Sequence, residues 1–520
     1  MTSYILSFSQ STWTLLTIPA IACSILFTWR LWRFSIAPGL SPDDPEQLPY
    51  WIPFLGHAFR FAKDPQTVFV DGQKRFGRVG RPYSLTVAGT TFYVLTDPQD
   101  FSSVYRNAAA FTFDPLVEQV YRAFQLPDAA IRRLYCTPSS LDEKSPSHTP
   151  PRNGKVNISH EMIVVEMRRN QTLGHSLKTM KQLDSMMDLE SICERFLTTQ
   201  HGSTTVLSLS QFCSIMATSA GQASYFGNAL SEIDESLPET FVDFDKLCWQ
   251  IFYRPPMLWS KQLTKCKAKF LKALEAYSKK PTEERQDMPQ FLKNWESQCI
   301  KAGLRNSDIA IIMLIQYFGL NTNTPKACFW MFCHILFNPE LAHIIRNETS
   351  AAFTSEGLDY DIIDKSQLLH GIWLETLRLC TSSLSFRYIT QDFQLKGLQL
   401  RKGNQVILNP RWLHVDSNYF GTSPLHFNVK RFVDNPGYQR HPAFRPFGGG
   451  ESQCPGRQMA KQTALTFVAY VLHKYDVELP WPQVFPKTSH ESHPGVAVMA
   501  PAEGHDLMFR LTERQTDKSG

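Results

Sequence analysis

Three groups of residues in this chain have types and spacings that could do chemistry. The first is FGGGESQCPGR, residues 447–457, in which three glycines lead to Cys454 and Pro455 follows at once. Glycines admit positive φ and let backbone amides crowd a ligand. The run after Cys454, PGRQMAKQTALTFVAYVLHKY, reads as a long amphipathic helix, and Pro455 suits its first position because the missing N–H costs nothing there. Cys454 is then expected at the cap, where unpaired amides and the positive end of the helix dipole favour a thiolate. A thiolate so held is a good axial ligand for haem iron; a buried cysteine in a glycine-rich turn is the bland alternative. The second group is Glu375 and Arg378 in LETLRLC, three apart on one helix face and able to pair. The third is SDIAIIMLIQYFGLNTNTPKACFWMFCHIL, residues 307–336, where Ser307 or Asp308 would cap a long apolar helix. Pro325 falls inside it, so the helix is expected to kink or open around residues 321–325 and present Asn321, Thr322, Asn323 and Thr324.

The elements that must position these groups are mostly helical. Residues from about 157 to 350 have few glycines and repeated i, i+3, i+4 apolar spacing. RPYSLTVAGTTFYVLTD reads as a β-hairpin turning at Ala-Gly, and short strands and loops dominate from about residue 386 until the helix after Cys454. Residues 137–153 read as a polar, proline-rich loop. The expected body is mainly α with a small β portion, in one large domain spanning 56–520. Met1 to Trp29 carries no charged residue, and Arg30 and Arg33 follow between Trp29 and Trp32. Residues 1–34 are therefore expected to anchor the chain in a membrane, with the rest on the cytoplasmic side. A proline-rich stretch, 35–55, would link the anchor to the body in extended form.

Composition excludes several classes. A net charge of +5, from 53 basic and 48 acidic residues without long like-charged runs, does not argue for nucleic acid. The 11 cysteines form no C-x-x-C pair, which argues against zinc ribbons and ferredoxin-type clusters. No G-x-G-x-x-G opens a helix, so the chain has no expected flavin or dinucleotide segment of its own.

Phe447, Gly450, Cys454 and Gly456 match F-x-x-G-x-x-x-C-x-G, and on this loop the chain resembles the cytochrome P-450 family. The resemblance implies the fold of that family behind a transmembrane helix, and haem b as cofactor with Cys454 on iron. It gives Glu375 and Arg378 the family's buried E-x-x-R network, with Arg431 of FNVKRF as third member, although Val429 and Lys430 replace the usual Pro and Glu. Arg387 falls where a propionate-binding arginine is expected, and Ser452 stands where the family normally has a basic residue. Asn323 and Thr324 occupy the oxygen-binding groove in place of acid and threonine, with Asn321 and Thr322 the alternative register. Threonine could donate to the distal oxygen and pass on a proton, whereas the Asn323 amide could only orient water. Asn-Thr before Pro and Phe-Trp is similar to the branch with sterol 7α-hydroxylases and prostacyclin synthase. Residues 167–180, MRRNQTLGHSLKTM, lie where the family has a W-x-x-x-R helix but contain no tryptophan.

By that resemblance the protein is a monooxygenase of the endoplasmic reticulum membrane, single-pass with a cytosolic catalytic domain. It would take electrons from an NADPH-cytochrome reductase and oxidise a lipophilic small molecule, such as a terpenoid, sterol or polyketide of secondary metabolism. Substrate contacts would come from residues 110–125, Tyr317 and Phe318, Ser382–Leu384 and Val496–Val498. A reductase-independent isomerase or dehydratase and a haem-based sensor are the competing readings.

Overall fold

The computed structural model describes residues 2–76, 80–136, 156–158, 174–253, 259–355, 357–489 and 497–514, with side chains from Thr17 onward. The polar stretch 137–153, the first half of 167–180 and Val496 lie outside the described residues. The chain divides into two compact units, one of Met1–Phe113 with Leu384–Asn409 and one of Asp114–Ser383 with Pro410–Gly520.

The first unit begins with helix α1, Thr2–Leu31. Its described apolar side chains face solvent, among them Ile18, Ile21, Ile25 and Phe27. Among the residues whose side chains are described, no single helix is both long and apolar enough to cross a membrane. The helix continues through a wide turn at Trp32–Ile36 into a further helical turn at Ala37–Leu40. The expected extended linker is therefore helical at its start: Pro38 occupies the first turn of that short helix, where it has no N–H to lose.

Strand β1 (Glu46–Gln47) follows, then helix α2 (Pro65–Phe76), strands β2 (Tyr83–Val87) and β3 (Thr90–Leu95), helix α3 (Pro98–Arg106) and strand β4 (Phe111–Thr112). Strands β5 (Ser385–Ile389) and β6 (Gln405–Leu408) complete a six-stranded sheet of order β1-β2-β3-β6-β5-β4. The expected hairpin is β2–β3. Ala88 and Gly89 both have positive φ, 47° and 80°, the two-residue turn that matches strand twist. Gly72 lets α2 approach the sheet: a Cβ there would lie 2.4 Å from the Tyr83 ring. Asp97 caps α3 by accepting from Gln99 N–H at 2.8 Å, and α3 buries Phe101, Val104 and Tyr105.

The second unit is a helical mass. It contains α4 (His175–Asp184), α5 (Leu209–Phe226), α6 (Leu237–Leu247), α7 (Lys261–Lys279), α8 (Asn306–Asn321), α9 (Thr324–Leu336), α10 (Gln367–Cys380) and α11 (Arg457–Lys474). A three-stranded sheet from Tyr475–Glu478, Met508–Glu513 and Thr204–Ser208 lies in the same unit. Aromatic rings cement the helices: Tyr317 of α8 packs on Phe226, Phe241 and Phe270 with centroids 5.0–5.8 Å apart.

Two local expectations need correction. The start of α8 is capped at Arg305, and Asp308 sits in its first turn, accepting Arg305 N–H at 3.1 Å and the Arg305 guanidinium at 2.9 Å. Helix α11 is not amphipathic but buried on nearly every side, from Met459 and then Gln462 through Leu472. Polar residues on it are buried with the rest, and one of them is paired inward: Thr463 Oγ1 meets the buried His175 Nε2 at 2.9 Å.

Candidate active site

The loop that presents Cys454 is shaped by glycine. Gly448 and Gly450 each hold φ at 68°, and a 3-10 turn runs from Gly450 to Ser452. Gly448 N–H donates to the Arg445 carbonyl at 3.1 Å, and Cys454 N–H donates to the Phe447 carbonyl at 3.0 Å, closing a finger with the cysteine at its end. Helix α11 starts later than expected. Gly456 is its N-cap and Arg457 its first residue, so Cys454 stands two residues before the cap. The thiol is half-buried. Burial raises its pKa above the ordinary value, outweighing the Gly456 amide, the Arg457 charge and the Arg457 amide, which all pull it down. The expected amides are present, but they do not by themselves make a thiolate. A metal cation does so outright when it binds such a sulfur.

The Glu375–Arg378 pair is wholly buried. Arg378 Nη2 donates to Glu375 Oε1 at 2.7 Å and Arg378 Nε to Oε2 at 2.8 Å, a bidentate pair with both side chains at zero exposure. Glu375 Oε1 also accepts Asn428 N–H at 3.1 Å and Arg431 Nε at 3.3 Å. The remaining Arg378 donor, Nη1, reaches the carbonyls of His414 and Pro424, both at 2.6 Å. Every charge in the group is thus met, as burial requires. Glu375, Arg378 and Arg431 stand together in one buried group, and they tie α10 to the chain that leads into the cysteine finger.

The long helix opens where Pro325 demands it. α8 ends at Asn321, α9 begins at Thr324, and Thr322 and Asn323 bridge the break. The two candidate registers have different surroundings. Asn321 points into the core: its Nδ2 donates to the Tyr317 carbonyl at 3.2 Å, and its Oδ1 lies 2.4 Å from where a Cβ on Gly221 would be. Thr322 gives its hydroxyl to Asp245 of α6, whose carboxylate also pairs with Lys326 at 2.7 Å. Asn323 Oδ1 accepts Val498 N–H at 3.0 Å. Thr324 is buried at the start of α9, and among the described residues its hydroxyl has no hydrogen-bond partner.

Arg387 lies in the first unit on β5, 5% exposed. Its Nη1 donates to Ser385 Oγ at 2.8 Å and the Phe386 carbonyl at 2.6 Å, and its guanidinium stands 5.2 Å and 4.9 Å from the Tyr105 and Phe113 ring centres. The Tyr105 hydroxyl beside it is buried and, among the described residues, has no hydrogen-bond partner. Ser452 turns inward on its own loop, its hydroxyl 3.5 Å from the Gly449 carbonyl. Within the second unit, the soft Cys454 sulfur on its rigid finger is a donor that fits haem iron. Within the first unit, Arg387 is a buried cation of the kind that meets a carboxylate.

Of the expected substrate residues, Tyr317 belongs to the core, its hydroxyl donating to Gln222 at 2.8 Å. Phe318 packs on Phe124 and Phe244 with centroids 6.0 and 6.2 Å apart. Ser382 N–H donates to the Ala497 carbonyl at 2.7 Å, so the 382 and 497–498 segments do meet. Two residues carried no signal in the sequence. Asp245 reaches the helix break from another helix, and His414 joins two parts of the site. The His414 carbonyl accepts from Arg378, and its Nε2 accepts Arg445 N–H at 2.9 Å at the base of the cysteine finger.

Residues 163–508 match the family profile described as Cytochrome P450. The chain is 24% identical over 451 residues to cytochrome P450 monooxygenase poxD of Penicillium oxalicum, covering 84% of this chain and 88% of that one. It is 23% identical over 477 residues to cytochrome P450 7B1 of Mus musculus, covering 84% and 85%. Among solved structures it resembles retinoic acid bound cyanobacterial CYP120A1, with a TM-score of 0.62 over 91% of this chain and 99% of that one. At 16% identity that likeness is one of fold alone. The mammalian relatives lie on the branch that the Asn-Thr-Pro run indicates.

Proposed function

The chain belongs to the cytochrome P450 family, a haem-thiolate oxidoreductase family, and we propose that it is a membrane-anchored monooxygenase acting on a lipophilic small molecule. Haem, when bound, would supply the iron chemistry by which dioxygen, two electrons and two protons give one oxygen atom to the substrate and the other to water. The observation that carries this reading is the Cys454 finger, braced through His414 to the buried Glu375–Arg378 pair. In that reading Cys454 Sγ takes the iron. Phe447, Gly450 and Gly456 shape the finger, and Arg387 takes a haem propionate in place of the base that Ser452 lacks. Thr324 Oγ1, without a hydrogen-bond partner among the described residues, holds and passes a proton. Asn323, its oxygen engaged by Val498, keeps Nδ2 free to order a water. Glu375, Arg378 and Arg431 position the finger without touching reactants.

The substrate is read as lipophilic, a terpenoid, sterol or polyketide, from the aromatic side chains around Phe318. Residues 1–34 are read as a single-pass anchor in the endoplasmic reticulum, with 56–520 cytosolic. The solvent-facing Ile18, Ile21, Ile25 and Phe27 support it, since such a row on a long helix seeks an apolar medium. Electrons are read as coming from an NADPH-cytochrome reductase. The test is turnover of a lipophilic library with NADPH and reductase, beside a parallel reaction given peroxide and no reductase. Product only in the first supports the monooxygenase. Reductase-free rearrangement of a peroxide substrate at equal rate would overturn it.

A further inference from the structure

A cleft of about 510 Å³ opens in the first unit, lined by Arg30, His57, Arg60, Asp71, Lys74 and Arg75 beside Leu48 and Pro49. Four cations face one carboxylate there. Arg60 is neutralised by Asp71, with which it pairs. Arg30 donates to the Tyr50 carbonyl, and its guanidinium lies 4.0 Å from the centre of the Trp51 ring, which leaves its charge unopposed. Lys74 and Arg75 have no acidic partner among the described residues. His57 is 4% exposed and held by the Thr86 carbonyl at 3.3 Å from Nδ1, so it offers a ring edge and no competing negative charge. A concave site with three unopposed cations is built for an anion with several oxygens, such as a phosphate.

What surrounds the cleft indicates the source of that phosphate. Trp51, Phe54 and Phe59 are 63%, 71% and 71% exposed, and all three come from the segment that forms the cleft wall or its continuation. Arg30 is the only charged residue of α1 and stands at its end, after the exposed isoleucines. Exposed aromatic rings beside a basic cleft, at the end of an apolar helix, place the cations at the depth of lipid headgroups. We propose that this cleft binds the phosphate of an anionic phospholipid headgroup and so sets how the first unit sits on the bilayer. The proposal rests on the membrane reading above but adds a lipid preference to it.

The test is flotation of the full-length holoprotein with vesicles of phosphatidylcholine alone or doped with phosphatidic acid. The wild type should bind the neutral vesicles and gain about tenfold in affinity with phosphatidic acid, two surface cations contributing on that scale. Lys74→Gln/Arg75→Gln should keep neutral binding and lose the gain. Lys265→Gln/Lys272→Gln, at exposed positions of α7, should keep both. If the wild type ignores neutral vesicles, the membrane reading fails. If it binds them but shows no gain, or if the α7 variant loses the gain equally, the cleft proposal is overturned. Glycerol phosphate binding equally tightly in vesicle-free solution would overturn the lipid as its source.

Discussion

Asn323 Oδ1 accepts Val498 N–H at 3.0 Å, joining the break in the long helix to a turn 175 residues further on. That turn is clamped on every side. Ser382 N–H donates to the Ala497 carbonyl at 2.7 Å, Met499 N–H to the Cys380 carbonyl at 2.8 Å, and Trp330 Nε1 to the Met499 carbonyl at 2.7 Å. Ala497 itself holds φ at 141°, a region that non-glycine residues avoid, so the turn is over-determined by its partners. Where an acid is usual in the family, this chain has an amide whose oxygen is already committed.

Asn323→Asp is therefore expected to keep the turn in place, because a carboxylate oxygen can accept the same N–H. Asn323→Leu leaves a buried Val498 N–H unmet, at a cost of about 1–3 kcal/mol. The checks are thermal melting and the distribution of oxidation products: the Leu variant should melt lower and lose positional selectivity, the Asp variant should do neither. Equal behaviour of the two would show that the hydrogen bond is incidental.

Arg378 and Arg431 should separate in the same way. Arg378 has bidentate contact with Glu375 and two carbonyl bonds, whereas Arg431 offers Glu375 a single 3.3 Å bond from a side chain 10% exposed. A lysine cannot reproduce the fork. Arg378→Lys is expected to cost about 3–5 kcal/mol by leaving Glu375 under-compensated, and to abolish incorporation of haem. Arg431→Lys should retain most of the ferrous carbon-monoxide band. That spectrum and a melting curve decide the matter, and equal losses would count against the network as drawn.

His414 gives a pH prediction. Burial holds its pKa well below the ordinary histidine value, and the Arg411 and Arg378 charges push the same way; its Nε2 must stay unprotonated to accept Arg445 N–H. His175 is likewise lowered, to about 4, by burial. In the unfolded chain both titrate near 6.5, so acid is taken up preferentially by the unfolded state. Their stability is complete above about pH 6.5 and is lost as pH falls toward the folded values. Melting temperature should drop between neutral pH and about pH 5. His414→Gln, which keeps an acceptor for Arg445, should make that drop shallower, and His414→Leu should lose haem at neutral pH.

Much of this site was legible because its chemistry lies in contiguous residues. The cysteine finger, the Glu375–Arg378 spacing and the Pro325 break each follow from a few neighbouring side chains and the geometry they force. What was illegible depends on distant segments meeting. Nothing in the spacing brings Asp245 to Thr322, or His414 between Arg378 and Arg445. The amphipathic reading of α11 failed for a related reason: Thr463 counts as polar in sequence, but in the fold it is satisfied by His175. The thiolate expectation for Cys454 counted the amides and omitted the burial that outweighs them.

The two threonines at the break should part most sharply. Thr322 is 2% exposed, and its hydroxyl is bound to Asp245, which Lys326 also holds. It is a structural bond between α6 and the break, and Thr322→Ala should lower the melting temperature through a loss of stability of roughly 0.5–1.5 kcal/mol, that of one hydrogen bond, and more if Asp245 is left short of a donor. Electron use should stay coupled to product. Among the described residues the Thr324 hydroxyl has no protein partner to lose, so Thr324→Ala should leave melting nearly unchanged. If its hydroxyl passes the proton, that variant should consume NADPH while releasing peroxide in place of product. Measuring NADPH, peroxide and product together for both variants tests the assignment. Uncoupling in Thr322→Ala with normal coupling in Thr324→Ala would move proton delivery to the Thr322–Asp245–Lys326 group.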